Sequence, residues 1–95
     1  MRLSVEWDPA KAASNLRKHG VSFEEAATVL EDPLSITLDD PDHSRTEQRF
    51  LLLGRSATDR SLIVAIAEGN DTLRIISARL MTPRERRAYE QEAGR

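Results

Sequence analysis

The sequence predicts an α+β domain, with two N-terminal helices and one C-terminal helix packed on a mostly antiparallel sheet. Two observations support the helices: a capping residue precedes each predicted helix, at Asp8, Ser22 and Thr82, and the first two helices are followed by residues that end a helix, Gly20 and Asp32-Pro33. A third observation supports the sheet. Three strand-like segments follow one another from Gln48 to Arg79, and Gly69-Asn70-Asp71, which joins the last two, is typical of a hairpin turn.

The chain begins with a predicted strand and helix. Arg2 to Trp7 alternates polar and apolar residues, which indicates a half-buried strand at or beside a sheet edge. Asp8 and Pro9 then provide a helix cap and a first helical residue, and Gly20 provides the left-handed residue that ends the helix at about His19. At 100° per residue this helix has a narrow apolar side and an adjacent polar side, composed respectively of Ala12, Leu16 and His19 and of Lys11, Asn15 and Lys18.

A second helix and a short extended segment follow. Ser22 is a suitable cap with Glu25 three positions later, and Asp32-Pro33 ends the helix. Leu34 to Leu38 is predicted to be a short strand or extended crossing, and the polar stretch from Asp39 to Thr46 is predicted to be a flexible loop.

Three strands form the predicted meander: Gln48 to Arg55, Leu62 to Glu68, and Thr72 to Arg79. The middle one is apolar on both sides, which favours a central position in the sheet. The turn before it, SATDRS, is predicted to be loose. Strand periodicity in the last segment places Arg79 on the same side as Leu73, Ile75 and Ser77, and it places Arg74 on the opposite side.

The C-terminal helix has the strongest start signal in the chain. Thr82 is a suitable cap, Pro83 suits the first helical position, and Glu85 can complete a capping box. Arg84, Arg86 and Arg87 fall in the first turn and a half, where the helix dipole disfavours cations by a few tenths of a kcal/mol each. Arginines at unfavourable positions suggest an anionic partner.

Length and composition bound the functional classes. The chain of 95 residues is long enough for a single domain, 1–95, but too short for two. It has no cysteine, no run typical of a signal peptide and no apolar stretch that could span a bilayer, so we expect a soluble, cytoplasmic protein without membrane contact. The net charge of −2 combines an acidic segment, Glu31 to Gln48, with a basic one, Leu73 to Arg95. This asymmetry is compatible with a local nucleic-acid site.

Several kinds of chemistry have no support in the sequence. No serine lies in a recognisable nucleophile motif, and no glycine-rich phosphate loop is present. Asp39, Asp40, Asp42 and His43 crowd one loop, but their spacing matches no EF-hand or zinc pattern. We therefore interpret this loop as a solvated acidic segment, with a metal site as the alternative, and we expect no metal and no other cofactor.

The residues that remain suit phosphodiester chemistry. Cations recur at the ends of elements, and His19 and Glu47 are the candidate proton carriers. Attack of an RNA 2′-hydroxyl on its own phosphate needs in-line alignment, a base, an acid and donors to an increasingly anionic phosphorane. Arginine binds two phosphate oxygens at once and suits the last of these tasks. The cations concerned are Lys11, Lys18, Arg49, Arg55, Arg74 and Arg79.

A purely structural interpretation stands beside each of these assignments. Arg79 could pair with a nearby acid, and His19 beside Gly20 could simply favour a helix C-terminus. The polar side formed by Lys11, Asn15 and Lys18 could be a solvated helix surface. The sequence does not decide between these interpretations and a site.

Two stretches, EWDPAKAASNLRKHGVSFEEAATVLEDP and RIISARLMTPRERRAYE, closely resemble the BrnT family of type II toxins. The resemblance extends to the segment with Asp42 and His43, to Glu47-Gln48-Arg49 and to Gly54-Arg55-Ser56. It implies a RelE-like α+β fold, RNA cleavage that halts translation, no metal cofactor, and a BrnA-like antitoxin that alone contacts operator DNA. Lys11, Arg49 and Arg79 are the positions that the resemblance singles out, whereas Leu80-Met81 replaces a more polar dipeptide expected after the ISAR segment.

Two functional hypotheses follow. The first is a ribonuclease toxin in which Lys11, His19, Arg49 and Arg79 are catalytic. In this hypothesis the RNA is bound by Asn15, Lys18, Arg55, Arg74, Arg84 and Arg87. The second hypothesis is a non-catalytic module that binds a protein or a nucleic acid. The two differ in whether loss of an arginine abolishes turnover or only affinity.

Overall fold

A computed structural model describes residues 4–40 and 47–95. The start of the predicted first strand, and Asp42 and His43 of the acidic loop, lie outside the described residues. The helices are α1 (Pro9–His19), α2 (Phe23–Thr28), which continues into a 3-10 turn at Val29–Glu31, and α3 (Pro83–Ala93). The strands are β1 (Ser4–Glu6), β2 (Ile36–Asp39), β3 (Gln48–Arg55), β4 (Ser61–Glu68) and β5 (Thr72–Leu80). The predicted α+β class with three helices is confirmed, and no helix within the described ranges has the length and apolar character needed to cross a membrane.

The five strands form one sheet in the order β1-β5-β4-β3-β2. The meander β3-β4-β5 is antiparallel, as is the β2-β3 pair, and only β1 pairs in parallel, with β5. The central position of β4 and the edge position of β1 confirm the predictions from their residue patterns. The sheet therefore has two faces with different roles.

One face of the sheet packs against α1 and α2. The core contains Val21, Phe23, Ala26 and Val29 from the helical layer, all fully or almost fully buried. Their partners on the sheet are aliphatic residues that follow the strand alternation. These partners are Leu52, Leu62, Val64, Ile66, Ile75 and Ala78. The opposite face, which we call the open face, lacks this helical layer and is overlain at one end by α3.

A β-bulge in β5 overturns one prediction about its side chains. Ala65 pairs with Ser77 whereas Ile66 pairs with Ile75, so Ile76 is an extra residue. The bulge shifts the alternation by one position. Arg79, which was predicted to lie on the side of Ile75, instead lies on the open face together with Arg74.

The predicted faces of α1 are also wrong, because Asn15 and not Leu16 turns inward. Asn15 is only 6% exposed, whereas Leu16 is 51% exposed and His19 is exposed. Strand β1 ends opposite Arg74, which leaves the later part of β5 without a strand on that edge. The Asn15 side chain lies against this edge.

The Asn15 side-chain amide hydrogen-bonds to the edge of β5 in the way that a backbone peptide group of a neighbouring strand would. Its Nδ2 donates to the carbonyl oxygen of Ala78 at 2.8 Å, and its Oδ1 accepts from the Ala78 N–H at 3.1 Å. Nδ2 also donates to the Val21 carbonyl at 3.0 Å. These bonds satisfy backbone groups of an otherwise exposed sheet edge. Asn15 therefore has a structural role in the free protein, and its contact with RNA stays a prediction.

We expect Asn15→Ala to lower the free energy of unfolding by about 2–4 kcal/mol, because buried backbone groups lose their partners. Urea unfolding monitored by circular dichroism measures this change. Arg17→Ala, at an exposed position of the same helix, is the matched control and should change stability by less than about 0.5 kcal/mol. Equal stabilities of the two variants would contradict the structural role of Asn15.

The helix caps confirm the sequence predictions. Asp8 caps α1, Ser22 caps α2, and Gly20 ends α1 with φ +68°. Thr82 and Glu85 form a complete capping box at the start of α3. These local signals acted as predicted because each depends only on neighbours within four residues.

The turn between β3 and β4, predicted to be loose, is tied to α2. The Glu25 carboxylate accepts hydrogen bonds from Ser56 Oγ at 2.7 Å, from Thr58 Oγ1 at 2.6 Å and from the Arg60 guanidinium. The Arg60 hydrogen bond is the main cause that lowers the pKa of Glu25 to about 2. The Glu25 carboxylate is therefore ionised at neutral pH and holds the turn between β3 and β4 against α2.

Candidate functional site on the open face of the sheet

The open face carries three ordered rows of side chains across β3, β4 and β5. The pairing register places Arg49, Ala67 and Arg74 in one row. The next rows towards α3 are Leu51, Ala65 and Ser77, followed by Leu53, Ile63 and Arg79. Successive rows are about 6.6 Å apart along the strands. This mostly apolar middle row, which we call the apolar strip, separates Arg49 and Arg74 from Arg79.

Glu47 joins the first two arginines into a cluster. Its Oε1 accepts from Arg49 Nε at 3.1 Å and from Arg49 Nη2 at 2.9 Å, and its Oε2 accepts from Arg74 Nη2 at 2.6 Å. The Arg49 hydrogen bond, supported by the charge of Arg74, lowers the pKa of Glu47, so its carboxylate is ionised at neutral pH. All three side chains keep partial solvent exposure. The Glu47–Arg49–Arg74 cluster can therefore meet a ligand from solution.

A shallow groove leads from this cluster to α1. A depression of about 400 Å³ beside Arg49 is lined by Leu51, Ala65, Ile76 and Ser77. Ile76 and Ser77 also line a smaller depression of about 160 Å³, whose other wall includes Lys11 and Lys18. We call this continuous surface the bulge groove, because the bulge residues form its floor. It brings together two predicted lysines and one predicted arginine.

Arg79 lies farther along the same face and is already paired. Its Nη1 and Nη2 donate to Glu85 Oε1 and Oε2 at 2.8 and 2.9 Å. The same Glu85 Oε1 accepts from the Thr82 N–H in the capping box. The Arg79 hydrogen bond is the main cause that lowers the pKa of Glu85 to about 2, and the pKa of Arg79 is raised in turn. In the free protein Arg79 is therefore ion-paired with Glu85, as the structural interpretation of the sequence predicts.

An apolar cleft of about 450 Å³ separates the sheet from α3. The pair Arg79–Glu85 lies in its wall, and Ala88 and Tyr89 approach it from the helix. The strands contribute a set of aliphatic side chains: Ile36, Leu38, Leu51, Leu53 and Ile63. The cleft and the bulge groove share Leu51 and so form one extended surface.

Helix α3 is anchored over the sheet through Asp32. Burial alone would raise the pKa of this carboxyl, but hydrogen bonds from Arg95 and from the backbone N–H groups of Arg55 and Leu34 lower it overall. Arg95 Nη2 donates to Asp32 Oδ1 at 2.7 Å, and Tyr89 Oη lies 3.3 Å from Asp32 Oδ2. Tyr89 is buried and packs between the helix and the sheet.

The other predicted RNA-binding arginines lie away from the bulge groove. Arg55 pairs with Glu90 of α3 at 3.2 Å and with Asp59 at 3.6 Å. Arg84 and Arg87 are exposed and, at 100° per residue, fall outside the side of α3 that faces the cleft. Within residues 4–40 and 47–95 neither of them makes an ion pair with a described acid. His19 is exposed and lines none of the depressions described above.

The residues predicted to form the site include Arg49 and Arg74 but not Glu47, the carboxylate that pairs with both. Glu47 was considered only as a proton carrier, although its spacing of two from Arg49 places both on one side of a strand. The contact with Arg74 spans 27 residues and depends on the strand order. Asp40, which also lines the groove, was interpreted as part of a solvated loop.

A comparison with family models shows which family the sequence belongs to. A model of the family described as ribonuclease toxin, BrnT, of type II toxin-antitoxin systems matches residues 7–85, most of the chain. This chain belongs to the BrnT family of ribonuclease toxins. The resemblance noted in the sequence is thereby confirmed, together with the endoribonuclease class and an antitoxin partner, which membership of a type II toxin-antitoxin family implies.

A solved BrnT structure supports the fold. The 1.1 Å crystal structure of the Brucella abortus ribonuclease toxin BrnT shares 19% sequence identity with this chain, with a TM-score of 0.67. The match covers 84% of this chain and 97% of the Brucella chain. A search of curated protein sequences returned no match. At this identity the likeness shows the common fold alone.

Proposed function

We propose that this BrnT chain cleaves single-stranded RNA in the bulge groove by attack of a 2′-hydroxyl on the adjacent phosphate, without a metal ion. The observation that supports the proposal most strongly is the Glu47–Arg49–Arg74 cluster, an ionised carboxylate held between two arginines on an exposed sheet face. The cluster combines a proton acceptor with phosphate-binding groups in one place.

The arginines bind and polarise the phosphate. Arg49 and Arg74 lie in one row of the sheet, so their spacing is fixed by the backbone hydrogen bonds of β3, β4 and β5. Rigid guanidinium groups stabilise the additional negative charge of the phosphorane without reorganising during the reaction. Removal of one such donor typically costs about 10²–10³ in rate.

Glu47 is the general base in this proposal. It accepts the proton of the 2′-hydroxyl while the bond from O2′ to phosphorus forms. The two arginines that lower the pKa of Glu47 also lower the basicity of its carboxylate, but they fix its oxygens beside the phosphate. Alignment of the nucleophile adds to the effect of the proton transfer.

Lys11 is assigned to the leaving group. The bond from phosphorus to O5′ breaks as the 2′,3′-cyclic phosphate forms, and the 5′-oxygen takes up a proton. An in-line reaction places the base and the acid on opposite sides of phosphorus. Lys11 lines the α1 wall of the groove, across the bulge from Arg49, and its ammonium group can donate that proton. Lys18, on the same wall, binds a flanking phosphate.

The product chemistry tests this mechanism. We expect purified protein to cleave single-stranded RNA in excess chelator and to leave 2′,3′-cyclic phosphate or 3′-phosphate ends, because the cluster supplies both base and positive charge. Mass spectrometry of the fragments identifies the ends. Cleavage that requires a divalent ion and leaves 5′-phosphates would contradict attack by the 2′-hydroxyl.

We further propose that the antitoxin partner is BrnA-like, contacts operator DNA on behalf of the complex, and covers the basic outer surface of α3. Arg84 and Arg87 are exposed there at positions that the helix dipole disfavours, so an acidic partner surface would stabilise them. A ribonuclease that halts translation acts where ribosomes are, which supports a cytoplasmic location for the complex.

We expect the joint change Arg84→Ala and Arg87→Ala to weaken antitoxin binding at least about tenfold and to reduce its dependence on salt, because two interfacial cations are lost. Titration calorimetry at two salt concentrations measures both quantities. The matched control is Arg17→Ala, at an exposed position of α1. An unchanged affinity of the double variant would place the interface elsewhere.

A further inference from the structure

The guanidinium group of Arg79 is occupied in the free protein by an internal anion. Both terminal nitrogens donate to the two carboxylate oxygens of Glu85, at 2.8 and 2.9 Å, and Nη1 also lies 3.2 Å from the Leu80 carbonyl oxygen. A two-oxygen acceptor in this arrangement is the same kind of partner as a phosphodiester. Any phosphate that binds Arg79 must therefore compete with Glu85.

The pair is built so that such an exchange can occur. The Arg79 and Glu85 side chains are 42% and 34% exposed, respectively, so a phosphate can approach from solution. Glu85 also accepts from the Thr82 N–H at 2.8 Å, so it retains a structural partner when Arg79 turns away. The end of α3 is thus able to remain capped in both arrangements.

The position of Arg79 extends the proposed RNA path. Arg79 lies two rows beyond Arg74 on the open face, with the apolar strip between them. Two rows correspond to about 13 Å along the strands, which about two nucleotides of an extended single strand can span. An RNA held by its reacting phosphate at Arg49 and Arg74 can reach Arg79 with a flanking phosphate.

We propose that Arg79 is a gated phosphate subsite, and that Glu85 is a built-in competitor which occupies it until an RNA phosphodiester displaces the carboxylate. This inference rests on the proposed function insofar as the displacing ligand is RNA. The gate penalises ligands that carry a single phosphate, because only a strand already held at the Glu47–Arg49–Arg74 cluster brings a second phosphate to Arg79 at high local concentration.

The test measures binding of a single-stranded DNA oligonucleotide, which lacks the 2′-hydroxyl and cannot be cleaved by the proposed mechanism. Glu85→Gln keeps a residue that can cap the helix but removes the charge that holds Arg79. We expect this variant to bind at least about fivefold more tightly than the unmodified protein, and we expect its slope of log affinity against log salt to become steeper by about 0.7, the value for one additional phosphate contact on a single strand.

Two further variants make the result specific. Glu92→Gln removes an equal charge from the same helix and the same cleft, so it controls for a general loss of repulsion and should give a smaller gain. In the double variant Arg79→Ala with Glu85→Gln, the gain should disappear, because the subsite itself is absent. Glu85→Gln binding no better than Glu92→Gln, or a gain that persists without Arg79, would overturn the gate.

The binding test separates this inference from the proposed reaction. Because the oligonucleotide is not cleaved, a chain that fails to cut RNA can still show the gain that depends on Arg79, and the subsite then stands without the mechanism. If neither the unmodified protein nor any of the three variants binds the oligonucleotide, the subsite is overturned whatever the outcome of cleavage assays.

Discussion

Glu47→Gln should lower the rate of RNA cleavage by about 10²–10⁴-fold, the range expected when a general base is removed. The amide retains the shape of the side chain and can still accept a hydrogen bond from Arg49, but it cannot take a proton from the 2′-hydroxyl. The same change removes the negative charge that Glu47 places beside Arg49 and Arg74, so RNA affinity should stay the same or rise. Single-turnover cleavage and binding of an uncleavable oligonucleotide measure the two effects separately.

The split between turnover and binding is the diagnostic part of this result. A Glu47 that only positions the arginines would lose affinity and rate together when it is changed. Glu68→Gln is the matched control, because Glu68 is an exposed glutamate at the end of the neighbouring strand, and it should cleave normally. A Glu47→Gln protein that cleaves at the unmodified rate would remove Glu47 from the mechanism.

Arg79→Ala should lower cleavage mainly at subsaturating RNA, because Arg79 lies about 13 Å along the strands from the phosphate held at Arg49 and Arg74 and binds a flanking phosphate. A loss of roughly 100- to 1,000-fold at saturating RNA, the usual cost of one lost transition-state donor, would instead place Arg79 at the reacting phosphate. Arg79→Lys should restore little, because an ammonium group offers a point charge instead of two parallel donors. The ion pair with Glu85 is more than a third exposed on both sides, so its loss should cost the fold no more than about 1 kcal/mol. The rate is therefore expected to change far more than the stability.

Melting temperature and cleavage rate must be measured on the same Arg79→Ala preparation. A protein that is less stable but cleaves at the full rate per folded molecule would assign Arg79 to the structure alone, as the partner of the capping glutamate. A loss of cleavage at nearly unchanged melting temperature that saturating RNA largely restores supports the binding of a flanking phosphate and agrees with the gate proposed at Glu85.

Much of the fold could be predicted because its signals are local. The capping box from Thr82 to Glu85, the left-handed Gly20 and the apolar character of β4 each act through neighbours in sequence. The bulge at Ile76 could not be predicted in this way, because RIIS contains no glycine or proline to mark it. One extra residue reversed the side assigned to Arg79.

The residue types of the candidate site could be predicted from the sequence more readily than their positions relative to one another. The residue types suited phosphodiester chemistry, and Arg49, Arg74, Lys11 and Lys18 do line or adjoin one groove. The hydrogen bonds of Asn15 to the edge of β5 could not be predicted, because helical periodicity does not reveal that a strand edge lies beside it. The Glu47 contact with Arg74 depends on the order of β3, β4 and β5, which the sequence indicates only as a meander.

The most direct test of the central claim is a titration that locates RNA on the open face. Isoleucine methyl groups report both sides of the sheet: Ile76 and Ile63 line the open face, whereas Ile66 and Ile75 are buried beneath α1 and α2. We expect an uncleavable single-stranded oligonucleotide to shift the NMR signals of Ile76 and, to a smaller extent, Ile63, while Ile66 and Ile75 stay in place. A saturating titration that leaves Ile76 and Ile63 unmoved would contradict a site on this face.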